Sequence, residues 1–118
     1  MLKVHAKKWD RFEVLCLEGQ IVTGETEILR TVVQSASATS DIILDLSDVS
    51  VVDAHGLGVL LQLREQTVAR GIHFELRNVS ESLYRIFEIT RLNTVFEIDG
   101  RVEFFPHATY AQRMPVAA

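Results

Sequence analysis

The run Ile42-Ile43-Leu44-Asp45-Leu46-Ser47-Asp48-Val49-Ser50-Val51-Val52-Asp53-Ala54-His55-Gly56-Leu57-Gly58-Val59-Leu60-Leu61 decides the fold. Ile42, Ile43 and Leu44 have no polar alternation, which marks a strand covered on both faces, as at the centre of a parallel sheet. After Asp45 the spacing predicts a polar loop, then a short extended piece, then a helix opening at Asp53 or Ala54. A helix that starts at the end of a parallel strand is where α/β proteins place ligand and partner sites. Its free N–H groups and positive dipole end favour an anion or a polar partner.

Downstream, that helix should run from about residue 54 to Arg70 and stop at Gly71, an ordinary C-terminal signal. Ile72, Phe74 and Leu76 then alternate with His73, Glu75 and Arg77, so a strand with one wet face is expected. Strand, helix and strand in this length form a βαβ unit with a right-handed crossover. Ser80 can cap a further helix in which Leu83, Ile86 and Phe87 share a face. Val95, Phe96 and Ile98 read as another strand. Asp99-Gly100 could turn it back into Val102-Glu103-Phe104-Phe105. Pro106 suits the first turn of a short terminal helix packed through Tyr110, Ala111 and Met114, followed by a frayed tail.

Upstream, the first clear element is Phe12 to Leu17, ending at Glu18-Gly19. Gln20-Ile21-Val22 reads as a short second strand after a tight turn. Thr23 is a plausible N-cap for an amphipathic helix over about residues 24–37, in which Ile28, Leu29, Val32, Val33 and Ala36 recur at helical spacing.

The chain has 118 residues and 47% apolar content, the size and composition of one globular domain. We expect a core of about residues 10–105, with 106–118 a short helix and tail. A net charge of -4 gives no electrostatic reason to expect nucleic acid. The single cysteine, Cys16, cannot form an internal disulfide and reads as a small core residue. No metal-ligand spacing occurs, and no cofactor is expected. The N-terminus has no apolar signal core, and no apolar run approaches the ~20 residues that cross a bilayer. The expected location is therefore cytoplasmic.

In the central helix, Leu57, Leu60, Leu61 and Val68 fall in one arc, with the stem of Arg64 among them, and should pack on the sheet. Val59 and Leu63 fall on the opposite side with Gln66 and Arg70. They are either covered by a neighbouring helix or the C-terminal segment, or offered to another protein. Gly56 and Gly58 bracket the helix start. Each costs ~1 kcal/mol against alanine and permits close approach, either of the chain's own backbone or of a partner's. Asp53 can cap the helix. His55 lies in the first turn, where the dipole disfavours a charged imidazole. Asp53 and His55 could serve as an acid–base pair, but no nucleophile, metal set or phosphate cradle accompanies them, so no enzyme activity is expected.

Residues 43–60 resemble the central motif of the STAS domain, shared by anti-sigma factor antagonists and sulphate transporters. That motif is an apolar strand, Asp-Leu-Ser, a short apolar piece, Asp-Ser-Ser-Gly and a Leu/Gly-rich helix. The likeness continues through Gly71, the Phe74–Leu76 strand, Asn78-Val79, Leu83–Ile89, Leu92 and Phe96-Glu97-Ile98. It implies a single α/β domain, a four- to five-stranded mixed β-sheet with helices packed mainly on one side. It also implies transcriptional control by partner switching. Such a domain binds an anti-sigma factor, usually of histidine-kinase-like ATPase fold, and a phosphate on a Ser or Thr of the loop breaks the complex. In this chain Ala54 and His55 occupy the serine positions, and no Ser or Thr occurs from Asp53 to Gly58. His55 thus stands at the phosphoacceptor position without a hydroxyl. The expected docking residues are Asp53, Ala54, His55, Gly56, Leu57, Gly58, Val59 and Leu63. The alternative is a STAS subunit of a stressosome-like complex, or a cytoplasmic accessory of a membrane transporter.

Overall fold

The computed structural model describes residues 1–37 and 40–99. Strands β1 (Lys3–Trp9), β2 (Phe12–Ile21), β3 (Asp41–Val52), β4 (Phe74–Arg77) and β5 (Glu97–Asp99) form one sheet in the order β1-β2-β3-β4-β5. The β1–β2 pair is antiparallel and the other three pairs are parallel, so the sheet is mixed. Helices α1 (Glu27–Ala36), α2 (Ala54–Ala69) and α3 (Glu81–Ile89) make the crossovers between parallel strands. A 3-10 turn at Leu92–Thr94 precedes β5.

Side-chain alternation explains the layering. Leu15, Leu17, Ile42, Leu44, Phe74 and Leu76 point to one face and merge with Leu29, Val33, Leu60, Leu63, Leu83 and Phe87 of the helices in one core. Val14 and Ile43 point the other way into a second, small cluster with Phe12 and Cys16. The helices therefore share one face. β3, the third of five strands, buries Ile42, Ile43 and Leu44 completely, as its unbroken apolar run requires. Cys16 is half-buried in the small cluster, where burial, with Asp45 nearby, pushes its thiol pKa up.

Several sequence expectations are corrected. β1 has no clear sequence signal because it is an edge strand whose Lys3, His5 and Lys7 face solvent, a pattern that protects an open edge. It joins β2 through Asp10-Arg11, with Asp10 left-handed at φ 57°. Gln20-Ile21 is the end of β2 rather than a separate strand. Gly19, at φ 122°, lies beside the register slip that lets the strand continue. The polar stretch after Asp45 is likewise strand, because β3 runs unbroken to Val52 along β2. α1 begins at Glu27 with Thr26 as N-cap, not at Thr23, because a turn through Gly24 at φ 89° intervenes.

The expected wet face of β4 is buried. Glu75 is 6% exposed and Arg77 7%, and the two are paired through Oε2 and Nε. A carboxylate and a guanidinium enter a low-dielectric region only as hydrogen-bonded partners. His73 Nε2 lies 2.9 Å from Glu75 Oε1, and its Nδ1 lies 3.7 Å from Glu97. The bond to Glu75 raises the His73 pKa. Burial pushes the Glu75 carboxyl up, but the bonds from His73 and Arg77 outweigh it and leave it lowered.

α2 is buried on two flanks. One flank meets the sheet and the other meets α1, tied by Arg30 Nη1 to Gln62 Oε1 at 2.6 Å and Arg70 Nη1 to Ser37 Oγ at 3.0 Å. Ser80 caps α3, its hydroxyl accepting from Leu83 N at 3.2 Å. The expected turn at Asp99-Gly100, the strand at 102–105 and the helix from Pro106 lie outside the described residues, apart from Asp99 at the end of β5.

Candidate partner-docking site

The end of β3 delivers Asp53 to the start of α2 in extended conformation, φ -93° and ψ -178°, the geometry of an N-cap. Its two carboxylate oxygens are divided between two segments. Oδ1 accepts from Gly56 N at 2.7 Å, closing the first turn of α2. Oδ2 accepts from Thr23 N at 3.0 Å and from the Thr23 hydroxyl at 3.2 Å. The backbone N–H of Asp53 donates to Ile21 O at 3.3 Å. Asp53 thus fastens the β2–α1 loop to the helix start. The backbone N–H groups of Thr23 and Gly56, with lesser help from the Thr23 hydroxyl and His55, hold its carboxyl below the usual aspartate range.

Gly56 and Gly58 have different roles. A Cβ on Gly56 would lie 1.9 Å from the carbonyl oxygen of Ile21, so the close approach there is to the chain's own backbone. A Cβ on Gly58 would meet nothing within 4 Å. No packing within the described fold requires glycine at position 58, which leaves a bare stretch of exposed helix beside Ala54 and His55.

His55 is exposed. Its Nε2 lies 3.4 Å from Thr26 Oγ1, across the gap to α1. With the Asp53 oxygens taken by Thr23 and Gly56, the two residues are not arranged as a hydrogen-bonded acid–base dyad. Among the described residues no group of His, Cys, Asp and Glu is placed to hold a metal ion.

The eight expected docking residues separate into a surface set and a buried set. Ala54, His55 and Gly58 are exposed, and Asp53 is partly so. Gly56 and Leu57 are buried at the helix start. Val59, 2% exposed, and Leu63, fully buried, are core residues and offer no docking surface. The helix wheel set them opposite the sheet arc, but both join Leu60 in the core that the sheet and the helices share. Val68, expected on the sheet, is instead 44% exposed near the end of α2. Sequence reasoning gave Thr23 a different role, as a cap. The signal for its link to Asp53 is long-range and has no spacing in the chain.

Known proteins share this architecture. The STAS domain profile matches residues 3–107. An anti-sigma-B factor antagonist of Bacillus subtilis (strain 168) is 33% identical over 88 residues, which is 74% of this chain and 81% of that protein. An anti-sigma factor antagonist from Mycobacterium paratuberculosis has a similar fold, with a TM-score of 0.74 at 19% identity over 83% of this chain and 85% of that one. A sulfate transporter family protein from Wolinella succinogenes gives a TM-score of 0.66 at 24% identity, over 92% of this chain and 90% of that one. Among the described residues no helix is long and apolar enough to cross a membrane. With the profile spanning both the sheet and the Asp53 loop, the chain belongs to the STAS domain family, and anti-sigma factor antagonists are among its homologues.

Proposed function

We propose that this chain is an anti-sigma factor antagonist-like protein-binding module that regulates transcription by partner binding in the cytoplasm. It docks an anti-sigma factor of histidine-kinase-like ATPase fold through the surface around Ala54, His55 and Gly58, and so frees a sigma factor. It performs no catalysis and needs no cofactor. The observation that carries this reading is Gly58: it is exposed, costs helix stability, and nothing in the described fold requires it. A partner backbone approaching the helix start would use that gap. The homology to an anti-sigma-B factor antagonist supports the partner class.

Because position 55 has no hydroxyl, binding at this loop is not broken by a phosphoserine or phosphothreonine there. The complex is governed by concentration, by the partner, or by chemistry elsewhere. Titrating the protein into anti-sigma ATPases, with ADP and with ATP, tests the proposal. A complex that His55→Asp weakens about tenfold or more is expected, since the new carboxylate adds charge beside Asp53. Failure to bind any such partner in either nucleotide state overturns it. A role as a subunit beside a transport protein has weaker support, because the transporter likeness is one of fold alone.

A further inference from the structure

We propose that β1, the open edge of the sheet, takes an acidic, extended segment of another protein as an additional strand. All three lysines of the chain, Lys3, Lys7 and Lys8, lie within these seven residues, although the protein carries a net charge of -4. Among the described residues β1 pairs with β2 alone. Every second residue of an edge strand turns its N–H and C=O away from the sheet, and a peptide strand can take up those groups. Lys8 lies 4.0 Å from Glu13, and His5 lies 3.9 Å from Glu18. Lys3 and Lys7 are exposed and join no ion pair of the described residues.

Guarding an open edge accounts for the lysines but not for what lies beside them. Trp9, the only tryptophan, is 41% exposed at the end of the strand. With Val14, Cys16 and the stems of Lys7 and Lys8 it lines a cavity of about 280 Å³. The register sets Lys7 opposite Val14 and Trp9 opposite Phe12, on the side of the sheet away from the three helices. An apolar side chain on an added strand fits against Trp9 and Val14. Carboxylates on the same strand meet the ammonium groups of Lys3 and Lys7.

The lysines also decide what is kept off. Two copies of β1 paired antiparallel about His5 would set Lys3 opposite Lys7. Paired about Ala6, they would leave Lys3 and Lys7 opposite Trp9 and His5, with no carboxylate. Like charges directly opposite destabilise a strand pair, whereas opposite charges support it. The edge therefore disfavours a second copy and selects an acidic strand. Backbone hydrogen bonds supply the affinity and the alternating side chains supply the selection. None of these residues belongs to the surface at Ala54, His55 and Gly58, so the two docking events are independent.

The register of β1 writes the probe. Laid antiparallel from Trp9 to Lys3, a peptide Phe-Glu-Glu-Val-Glu-Val-Glu, capped at both ends, sets Phe opposite Trp9 and Glu opposite Lys8, Lys7, His5 and Lys3. It is titrated into the full chain while the emission of Trp9 is followed. A saturable shift to shorter wavelength is expected, with a midpoint that rises about tenfold or more between about 20 and 300 mM salt. The same peptide with Lys for every Glu should give no shift. Hydrogen exchange should slow at Lys3–Trp9 and not at the start of α2.

Two variants keep the test specific. Lys3→Gln with Lys7→Gln should keep the circular-dichroism spectrum and weaken binding about fivefold or more. Lys3→Glu with Lys7→Glu should prefer the lysine peptide. No emission change up to about 1 mM acidic peptide, an equal response to the lysine peptide, or protection confined to α2 overturns the proposal. A response to phosphatidylglycerol vesicles in place of the peptide also overturns it and assigns the lysines to a membrane surface.

Discussion

Alanine at Gly56 and alanine at Gly58 should move stability in opposite directions, although both lie near the start of the same helix. Each replacement gains ~1 kcal/mol of helix propensity. At Gly58 the new methyl meets nothing within 4 Å, so the gain is realised. At Gly56 the methyl would sit 1.9 Å from Ile21 O and 2.9 Å from Ile21 C, both backbone atoms. Ordinary contact needs ~3.5 Å, so α2 must retreat from β2 by more than about 1 Å. The bond from Asp53 N to Ile21 O, already 3.3 Å, would not survive that shift. Overpacking of this kind costs ~1–3 kcal/mol and outweighs the propensity gain. For a domain of this size 1 kcal/mol moves Tm by roughly 3–6 °C. Gly58→Ala should therefore raise Tm by a few degrees, and Gly56→Ala should lower it. Circular-dichroism melts and urea titrations measure both, and the anti-sigma partner is then titrated against each. The expected result at position 58 is a more stable protein that binds about tenfold or more weakly, because the methyl fills the space through which docking is proposed. A Gly56→Ala protein as stable as the wild type would refute the steric argument. A stabilised Gly58→Ala protein with unchanged affinity would place Gly58 outside the interface.

Further outcomes follow from the same geometry. Leu63→Ala should cost about 2–5 kcal/mol in urea unfolding, as for a fully buried leucine, and a near-neutral result would return Leu63 to the surface. His73, whose pKa lies above 6.5 in the fold, stabilises fully below that value and loses its contribution as pH rises through the raised folded value. Melts taken between about pH 6 and pH 8 should show the wild type losing stability relative to His73→Gln, and parallel curves would remove the Glu75 and Glu97 contacts from the account. Asp53, held below its ordinary 3.8, contributes stability above that value that is lost as pH falls through the lowered one. Asp53→Asn should flatten the acid limb of the curve, and an unchanged acid limb would assign it to other carboxylates.

What the sequence carried was mostly local. The unbroken Ile42-Ile43-Leu44 run marked the central strand, Asp53 and Ser80 marked helix caps, and Gly71 followed the end of α2, because propensity and capping act within a few residues. The absence of a hydroxyl at position 55 was equally plain. Tertiary structure decided whatever depended on a neighbour distant in the chain. Period-two alternation gave β4 a wet side, yet Glu75 and Arg77 are buried as a pair. A helix wheel separated Val59 and Leu63 from the sheet arc, yet both are buried with Leu60 in the core that the sheet and the helices share. Two glycines looked alike in sequence, and only the position of the Ile21 carbonyl made one structural and left the other without a packing contact. Thr23 has no sequence relation to Asp53, 30 residues away, and reaches it because parallel pairing aligns the end of β2 with the end of β3. Burial and long-range contact are properties of the folded chain, and in this protein they decide which residues of the Asp53 loop are available for binding.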